Sequence, residues 1–166
     1  MIVKVVLYAA GGLCLLALLV TAIGYALPQG HVVSREATLS ASPATVFSTI
    51  TDVAAQPSWR TGVTSVELVS SNPMKWREHE RSDTVLYEVV DSRPPELHRV
   101  KIADPDLPFG GTWTYELTAD GSGTRVRITE HGEVFNPVFR FVSRFVFGHT
   151  ATIDRYLADL RRRLSP

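Results

Sequence analysis

The hydrophobic positions of this chain follow three different patterns. From Val5 to Pro28 the sequence is largely apolar and carries no charged residue. Between residues 63 and 134 apolar and polar residues alternate, which is typical of antiparallel strands with one buried face. From Asn136 to Leu164 apolar residues recur every three or four positions, as on one face of a helix. The patterns therefore predict an apolar helix, a sheet and a C-terminal helix, in that order.

The first apolar segment is long enough to cross a membrane. At about 1.5 Å per residue, a helix from Val5 to Pro28 is roughly 35 Å long, against about 30 Å for a hydrocarbon core. We expect residues 1–28 to form an uncleaved, single-pass anchor. A cleaved signal peptide is the alternative, but the run exceeds the roughly 7–15 apolar residues usual there, and Gly24-Tyr25-Ala26 is a poor cleavage site. Lys4 favours an extracytoplasmic domain by the positive-inside rule.

The domain expected over residues 29–166 divides into short elements at its turn and capping residues. A strand is followed by two short helical pieces, the first capped by Ser42 with Pro43 at the first helical position. Six more strands and one long C-terminal helix, Pro137 to about Leu164, complete the order. The strands are expected at Val32–Leu39, Val63–Ser70, Met74–Glu80, Thr84–Asp91, Leu97–Ala103, Thr112–Ala119 and Thr124–Val134, and the short helices at Ala44–Ile50 and Asp52–Ser58.

This order predicts an α+β domain with a curved, seven-stranded antiparallel sheet. The apolar face of such a sheet needs a cover, and the C-terminal helix is the only predicted element large enough to supply it. A curved sheet cannot touch a straight helix along its whole length, so a cavity is expected between them. Gly148 interrupts the helix at a cost of about 1 kcal/mol relative to Ala. Close packing on the sheet or room for a ligand are the two explanations.

Composition excludes several classes of function. Only Lys4 of the 17 basic residues precedes the domain, and all 17 acidic residues lie within it, so the domain is nearly neutral. A neutral domain lacks the positive charge expected of a nucleic-acid binder. The five histidines show no tight metal-ligand spacing. We therefore expect no nucleic acid, metal or cofactor, and leave protein partners and oligomeric state open.

Three ionisable residues share a strand face with apolar neighbours at every second position. A carboxylate that faces an apolar cavity has a raised pKa and can act as a general acid or base. The alternative is that each side chain lies at a hydrated strand end or is paired with an arginine such as Arg60 or Arg140. The three candidates for chemistry are Glu78, His98 and Glu130.

Aromatic side chains are expected to line much of the cavity, although core packing alone would also explain them. Strand parity turns most of them toward the predicted helix, and the helix contributes aromatics of its own. A ligand contact by the histidine of the helix stripe competes with a role in core packing. The expected ligand-binding residues are Trp59, Trp76, Tyr87, Trp113, Tyr115, Glu130, Phe139, Phe145 and His149.

Three phrases of the sequence carry a resemblance to a known superfamily. They are ATLSASPATVFSTITDVAAQPSW, FGGTWTYEL and GTRVRITEHGEVFNPVFRFVSRFVFG. Together with the element order they resemble the START/polyketide-cyclase superfamily (SRPBCC), whose fold is the helix grip, over nearly all of residues 31–164. The resemblance implies this fold and a pocket between sheet and helix. It does not select one function, because the superfamily includes lipid carriers, hormone receptors, aromatase/cyclases and hydrolase-like members.

The sequence thus favours a membrane-tethered domain that binds a small hydrophobic ligand, such as a lipid, a quinone or a polyketide-like molecule. An enzyme of the cyclase or dehydratase type, with Glu130 or Glu78 as base and a histidine as partner, is the second interpretation. A third is a non-catalytic module whose side chains fill its own pocket and whose surface binds a protein.

Overall fold

The computed structural model describes residues 2–81, 83–121, 123–148 and 150–165. An apolar helix precedes a domain made of one sheet and several helices. The elements are α1 (Ile2–Ala26), β1 (Gly30–Leu39), α2 (Pro43–Thr51), a 3₁₀ turn (Val53–Ser58), β2 (Val63–Ser71), β3 (Met74–Glu80), β4 (Thr84–Arg93), β5 (Leu97–Ile102), β6 (Phe109–Asp120), β7 (Gly123–Val134), α3 (Pro137–Val142), a π turn (Ser143–Phe147) and α4 (Ala151–Leu164).

The strands form one seven-stranded antiparallel sheet in the order β1-β7-β6-β5-β4-β3-β2. All strands after β1 are neighbours in sequence order, and β1 closes the other edge by pairing with β7. Register shifts between Leu68 and Ser70 in β2, and between Val89 and Asp91 in β4, mark local irregularities that bend strands. The predicted α+β helix-grip fold is confirmed, and the strand positions agree with the alternation of the sequence.

The core lies between the sheet and two helices, α2 and α4. Val126 and Ile128 of β7 are fully buried, as are Ile153 and Leu160 of α4. These side chains belong to one hydrophobic cluster that also contains Val46 of α2. The period of two in β7 and the period of three to four in α4 therefore direct their apolar residues toward the same interior.

Side-chain caps fix where the helices begin. The Ser42 hydroxyl accepts a hydrogen bond from the Thr45 backbone N–H at 3.2 Å, and Pro43 follows at the first helical position. The Asn136 side chain accepts a hydrogen bond from the Val138 N–H at 2.9 Å, again before a proline. Each cap satisfies an N–H that has no partner within the helix.

The expected single helix from Pro137 to Leu164 is wrong in one respect. The chain leaves helical geometry at Gly148, which has φ 72° and ψ 162°, and α4 starts afresh at Ala151. This φ lies in the region that glycine adopts without a steric penalty. Nothing lies within 4 Å of a Cβ built at Gly148, so the glycine is required by the backbone conformation and not by close packing. Of the two helices that replace the predicted one, α4 packs in the core, whereas α3 contacts α1.

The N-terminal helix stands apart from the core. Every residue of α1 from Ile2 to Leu19 is exposed, and the half-buried or buried positions are Val20, Thr21 and Gly24. By length and composition α1 can cross a membrane, and a signal sequence would satisfy the same criteria. Its bounds are slightly different from the predicted segment, because it begins at Ile2 and ends two residues before Pro28.

Candidate functional site

A cavity of about 340 Å³ opens between the sheet and the segment that contains α3 and the π turn. Its volume falls in the range of roughly 300–1,000 Å³ that is usual for small-molecule sites. The walls are mainly apolar and aromatic, and polar side chains lie at separate points. The lining residues from the sheet include Val85, Tyr87, Ile102, Phe109, Trp113 and Glu130, and those from the helical side include Phe139, Val142, Ser143, Gly148 and Thr152.

A second chamber of about 60 Å³ lies deeper, and we call it the inner chamber and the larger space the outer chamber. Four residues line both spaces, so the two chambers are adjacent: Glu80, Tyr87, Trp113 and Thr152. The inner chamber is bounded by Arg60, Trp76, Glu78, His98 and Tyr115, together with a few aliphatic groups. The interior of the domain therefore offers an apolar outer chamber that leads toward a polar inner end.

An ion pair between Arg60 and Glu78 forms this polar end. Arg60 Nη1 donates to both Glu78 carboxylate oxygens, at 2.7 and 2.8 Å, and to Gln56 Oε1 at 2.6 Å. Trp76 Nε1 donates to Glu78 Oε1 at 2.9 Å. The Glu78 side chain is only 2% exposed. Its buried charge is therefore compensated by a cation and by a neutral donor, as buried charges require.

The environment of Arg60 keeps it charged. Burial disfavours its charged form, but the Glu78 carboxylate and the neighbouring tyrosines outweigh this effect, and the pKa of Arg60 is raised above its usual value. The guanidinium carbon lies 5.1 Å from the centre of the Tyr156 ring, within the range of a cation–π contact. Glu78 therefore faces a permanent cation, and the arginine pairing that the sequence left as an alternative is present.

Glu130 has a different environment in the wall of the outer chamber. Burial raises its pKa to about 7, and a hydrogen bond from the Trp113 side chain opposes the rise. His31 Nε2 lies 3.5 Å from Glu130 Oε1. A carboxyl group with a pKa near neutrality, at the edge of an apolar cavity, can exchange a proton with a bound molecule. It can also donate or accept a hydrogen bond, according to its protonation state.

His31 is a site residue that the sequence did not indicate. Val33 of β1 is opposite Glu130 of β7, and His31 is opposite Gly132. A Cβ at Gly132 would lie 2.5 Å from the His31 ring nitrogen Nε2 and would clash with it. The absence of a side chain at Gly132 therefore leaves space for the His31–Glu130 contact. Only the β1–β7 register brings the two residues together, and their separation in sequence hides it. Gly132 within a strand was the available signal.

His98 is buried in the inner chamber and is 4% exposed. Burial lowers its pKa to about 4, so its imidazole is neutral at pH 7. The ring packs edge-on against Phe47, and its Nδ1 lies 3.3 Å from Ser92 Oγ. A neutral imidazole offers one donor and one acceptor, and it lines the cavity without carrying charge.

The structure distributes the predicted ligand-binding residues over four places. Tyr87 and Trp113 line both chambers, Trp76 and Tyr115 line the inner one, and Glu130 and Phe139 line the outer one. Two of the aromatics lie away from the cavity. Trp59 directly follows the 3₁₀ turn and packs in the core against Tyr156 of α4, at 5.5 Å between ring centres. Phe145 is exposed on the π turn because the helix ends before it reaches the core. His149 lies outside the described residues.

Candidate metal ligands are not clustered in this site. In the part of the chain that the structure describes, no group of three or more His, Cys, Asp or Glu side chains has a geometry that could hold a metal ion. The ionisable groups of the cavity are instead distributed. Arg60, Glu78 and His98 lie at the inner end, Glu80 lines both chambers, and the outer chamber is also lined by His31, Asp83, Glu130 and Glu133. The arrangement suits an amphiphilic molecule that meets polar groups at specific points.

A family model matches residues 30–165 of the chain, and that family is described as "Polyketide cyclase / dehydrase and lipid transport". No curated protein matches the sequence. Solved structures that resemble the domain include a START superfamily protein from Mycobacterium smegmatis, which is 17% identical with a TM-score of 0.63. The similarity covers 81% of this chain and 97% of that protein.

Two further structures represent different activities on the same fold. A norcoclaurine synthase from Thalictrum is 10% identical, with a TM-score of 0.64, and 81% of this chain covers 94% of it. The di-domain aromatase/cyclase StfQ of the steffimycin biosynthetic pathway is 13% identical, with a TM-score of 0.66, and 82% of this chain covers 51% of it. At these identities the similarities show the fold and do not transfer an activity.

Proposed function

The chain belongs to the polyketide cyclase/dehydrase and lipid transport family, and on this premise we propose that it binds a small hydrophobic ligand while tethered to a membrane by α1. The fold is of the hydrophobic ligand-binding or cyclase type. The observation that carries the proposal is the outer chamber, about 340 Å³ in volume, with apolar walls that lead to the polar inner end. A lipid, a quinone or a polyketide-like molecule fits this polarity.

The proposed boundary between anchor and domain lies at residues 28 and 29. The apolar helix ends at Ala26, and the family match begins at residue 30. Membrane attachment is useful for such a ligand because an apolar molecule is concentrated in the bilayer and scarce in water. The proposed orientation places the domain on the extracytoplasmic side, in accord with Lys4 at the other end of the helix.

Extraction and mass identification of whatever co-purifies with the full-length protein tests this proposal. Native mass spectrometry and binding of the fluorescent probe anilinonaphthalene sulfonate would be measured in parallel. Ile102→Trp places a larger side chain in the outer chamber and should remove both the co-purifying molecule and the probe signal. Val90→Trp, at an exposed position of β4, is the matched control and should remove neither. A wild-type protein that carries no ligand and binds no probe would contradict the proposal.

A second candidate function is a cyclase- or dehydratase-type reaction in the same cavity. It is favoured by Glu130, whose pKa of about 7 suits general acid–base chemistry, and by His31 at 3.5 Å from it. In this reaction Glu130 would take a proton from a carbon next to a substrate carbonyl. Loss of turnover in Glu130→Gln with retained ligand binding would support an enzyme. A ligand recovered chemically unchanged from wild type would favour the proposed ligand-binding function without catalysis.

A further inference from the structure

An exposed apolar surface lies on the segment that forms the helical wall of the outer chamber. Three of its side chains are more than half exposed: Phe139 at 53%, Phe145 at 60% and Val146 at 65%. They come from α3 and the π turn, and we call them the apolar rim. Phe139 also lines the outer chamber, as do Val142 and Gly148 of the same segment. The apolar rim is therefore continuous with the wall of the cavity.

The apolar rim is fixed in position relative to α1. Gly24 is the buried residue of α1, and a Cβ at this position would overlap the carbonyl group of Pro137 at the start of α3. Val20 and Thr21 lie on the same helical face and are half-buried. Small residues at such a contact allow two helices to approach closely, as in membrane helix pairs. The anchor helix thus packs on α3 and does not hang from a free linker.

Arg140 reinforces this contact. Its Nε donates to Val134 O at 2.7 Å and its Nη2 donates to Phe135 O at 3.0 Å. Nη1 also reaches Gly24 O at 3.4 Å, so one guanidinium joins the end of β7 to the end of α1. A rotation of the domain about α1 would break the hydrogen bond to Gly24 O, so this contact defines the orientation of the domain relative to α1.

The depth of the contact follows from helix length. About 20 helical residues cross a hydrocarbon core, so a span that begins after Lys4 reaches the opposite boundary at roughly residue 24. This is the position at which α3 packs. The apolar rim would then lie beside the acyl chains and headgroups, where exposed aromatic and aliphatic side chains gain the most from burial. Arg144, which is exposed on the same turn, suits the phosphate layer.

We propose that the apolar rim is immersed in the leaflet from which α1 emerges, so that the outer chamber opens into the bilayer and takes up its ligand directly from lipid. The inference rests on the proposed function for the identity of the cargo, and on α1 as a membrane span for the position of the rim. The occupant of the apolar surface is the lipid bilayer itself.

The position of the apolar rim can be measured in full-length protein reconstituted into vesicles of phosphatidylcholine and phosphatidylglycerol. In a Cys14→Ser background, Phe145→Cys carries an environment-sensitive nitrobenzoxadiazole label. Leu68→Cys is the matched control, because Leu68 is similarly exposed, at 59%, but lies on β2 at the far edge of the sheet. Phosphatidylcholine with a doxyl group near the start of its acyl chain should quench the first label at least about threefold more than the second.

Equal quenching at the two positions in vesicle-bound protein would overturn the proposal. A second outcome would also overturn it. If the label at residue 145 is not quenched by doxyl lipid and the protein has twice the mass of one chain, a second copy of the chain covers the surface instead of lipid. Flotation with the vesicles verifies attachment in the same sample. A chain that does not float would refute both the span and the immersed rim.

The direct route of uptake has its own test. Pyrene-labelled fatty acid is supplied in vesicles, and energy transfer from tryptophan reports its arrival in the cavity. The double variant Phe145→Asp/Val146→Asp should slow uptake by about tenfold or more and leave the amplitude in detergent unchanged, whereas Leu68→Asp should alter neither. Unchanged uptake in the double variant would overturn the proposed route. If wild type fails to bind the probe even in detergent, the proposed function fails, while the quenching result still decides the position of the rim.

Discussion

At the scale of single residues, two of the carboxylates that line the cavity, one buried and one half-buried, are stabilised differently. Glu78 faces the Arg60 guanidinium at 2.7 Å, whereas Glu130 has Trp113 and His31 as its neighbours. A permanent cation compensates a buried negative charge fully, and a neutral donor does so in part. The two glutamates therefore suit different tasks, because Glu78 is held by a cation and burial raises the pKa of Glu130 to about 7.

Removal of Glu78 should be strongly destabilising. Glu78→Leu leaves the buried Arg60 cation without its partner, and we expect a loss of about 3–5 kcal/mol in the free energy of unfolding. The double variant Arg60→Met/Glu78→Leu removes both charges and should recover most of this loss. Urea unfolding in detergent micelles measures both effects. Glu67→Leu, which breaks an exposed pair with Arg77, is the control and should change stability by less than about 0.5 kcal/mol.

A double variant as unstable as Glu78→Leu would contradict this interpretation. It would show that the hydrogen bonds of Trp76 and Gln56 to the pair matter more than its charge balance. The experiment thus separates the compensation of charge from the hydrogen bonding of the neutral donor Trp76 and the neutral acceptor Gln56.

Glu130 should make the stability of the domain fall as the pH rises. Its pKa is raised from 4.5 to about 7 by burial, so between these values the folded state binds more protons than the unfolded state. Folding is consequently favoured at the acidic end of this range and progressively less favoured toward pH 7. The urea midpoint measured from acidic to neutral pH should decline less in Glu130→Gln than in wild type. Glu116→Gln, at an exposed position of β6, should leave the decline unchanged.

Carbon-13 NMR of the labelled carboxyl groups gives an independent measurement. A Glu130 carboxyl that titrates near its ordinary value would show that it is hydrated, and the case for acid–base chemistry would weaken with it. This result would leave the hydrophobic ligand proposal intact, because that proposal depends on the apolar walls of the cavity.

Alternation along the strands was enough to place several of these side chains. Every second residue of β7 faces the interior, so Val126 and Ile128 share a face with Glu130, and the structure has all three on that side. Alternation could not predict which residues these side chains contact. His31 meets Glu130 through strand pairing, and Arg60 meets Glu78 across a turn. Such contacts depend on register and on loop geometry, which no local pattern encodes.

At the scale of elements, the strands were easier to predict than the C-terminal helix. Apolar residues continue at helical spacing from Val138 to Leu164, yet the described chain breaks at Gly148. Residues of the stripe after the break, such as Ile153, are fully buried, while Val138 and Phe145 before it are exposed. The same helical spacing of apolar residues thus packs against two different elements. After the break the apolar face packs on the sheet, and before it α3 contacts α1, which the amphipathic pattern cannot distinguish.

The contact between α1 and α3 predicts unequal effects of the same substitution at two glycines. A Cβ at Gly24 would overlap Pro137, whereas one at Gly12 has nothing within 4 Å. Gly24→Val should therefore push α3 away at a cost of about 1–3 kcal/mol, as overpacking does, and Gly12→Val should be nearly neutral. Hydrogen exchange of residues 137–147 in lipid nanodiscs reports the difference. Identical exchange in both variants would mean that α1 and α3 are not packed in the membrane-bound protein.

At the scale of the whole molecule, the core is complete without α1. The hydrophobic cluster consists of residues from Ala37 onward, and α1 adds none of its members. A chain without residues 1–29 should therefore fold, with a thermal transition in water and the far-ultraviolet circular dichroism of a mixed sheet and helix protein. Because the deletion uncovers Pro137 and leaves the exposed apolar rim in water, we also expect the truncated chain to self-associate, and Phe145→Asp/Val146→Asp should reduce this association in analytical ultracentrifugation. A truncated chain with no cooperative transition would show that α1 is part of the fold.

The apolar surface of α1 is the feature that predicts attachment to a membrane. The exposed face of α1 from Ile2 to Leu19 is apolar over several turns, and leaving so much of it in water is unfavourable in proportion to its area. Full-length protein should therefore remain in the membrane pellet after an alkaline carbonate wash and should be released by detergent. A matched chain with Leu15→Arg and Leu18→Arg in α1 should shift toward the supernatant, since charge at the centre of a span costs about 2.5–3.5 kcal/mol per residue. Recovery of wild type in the supernatant, or a mature chain that begins near residue 27, would instead identify α1 as a cleaved signal and would leave the cavity to exchange its ligand through water.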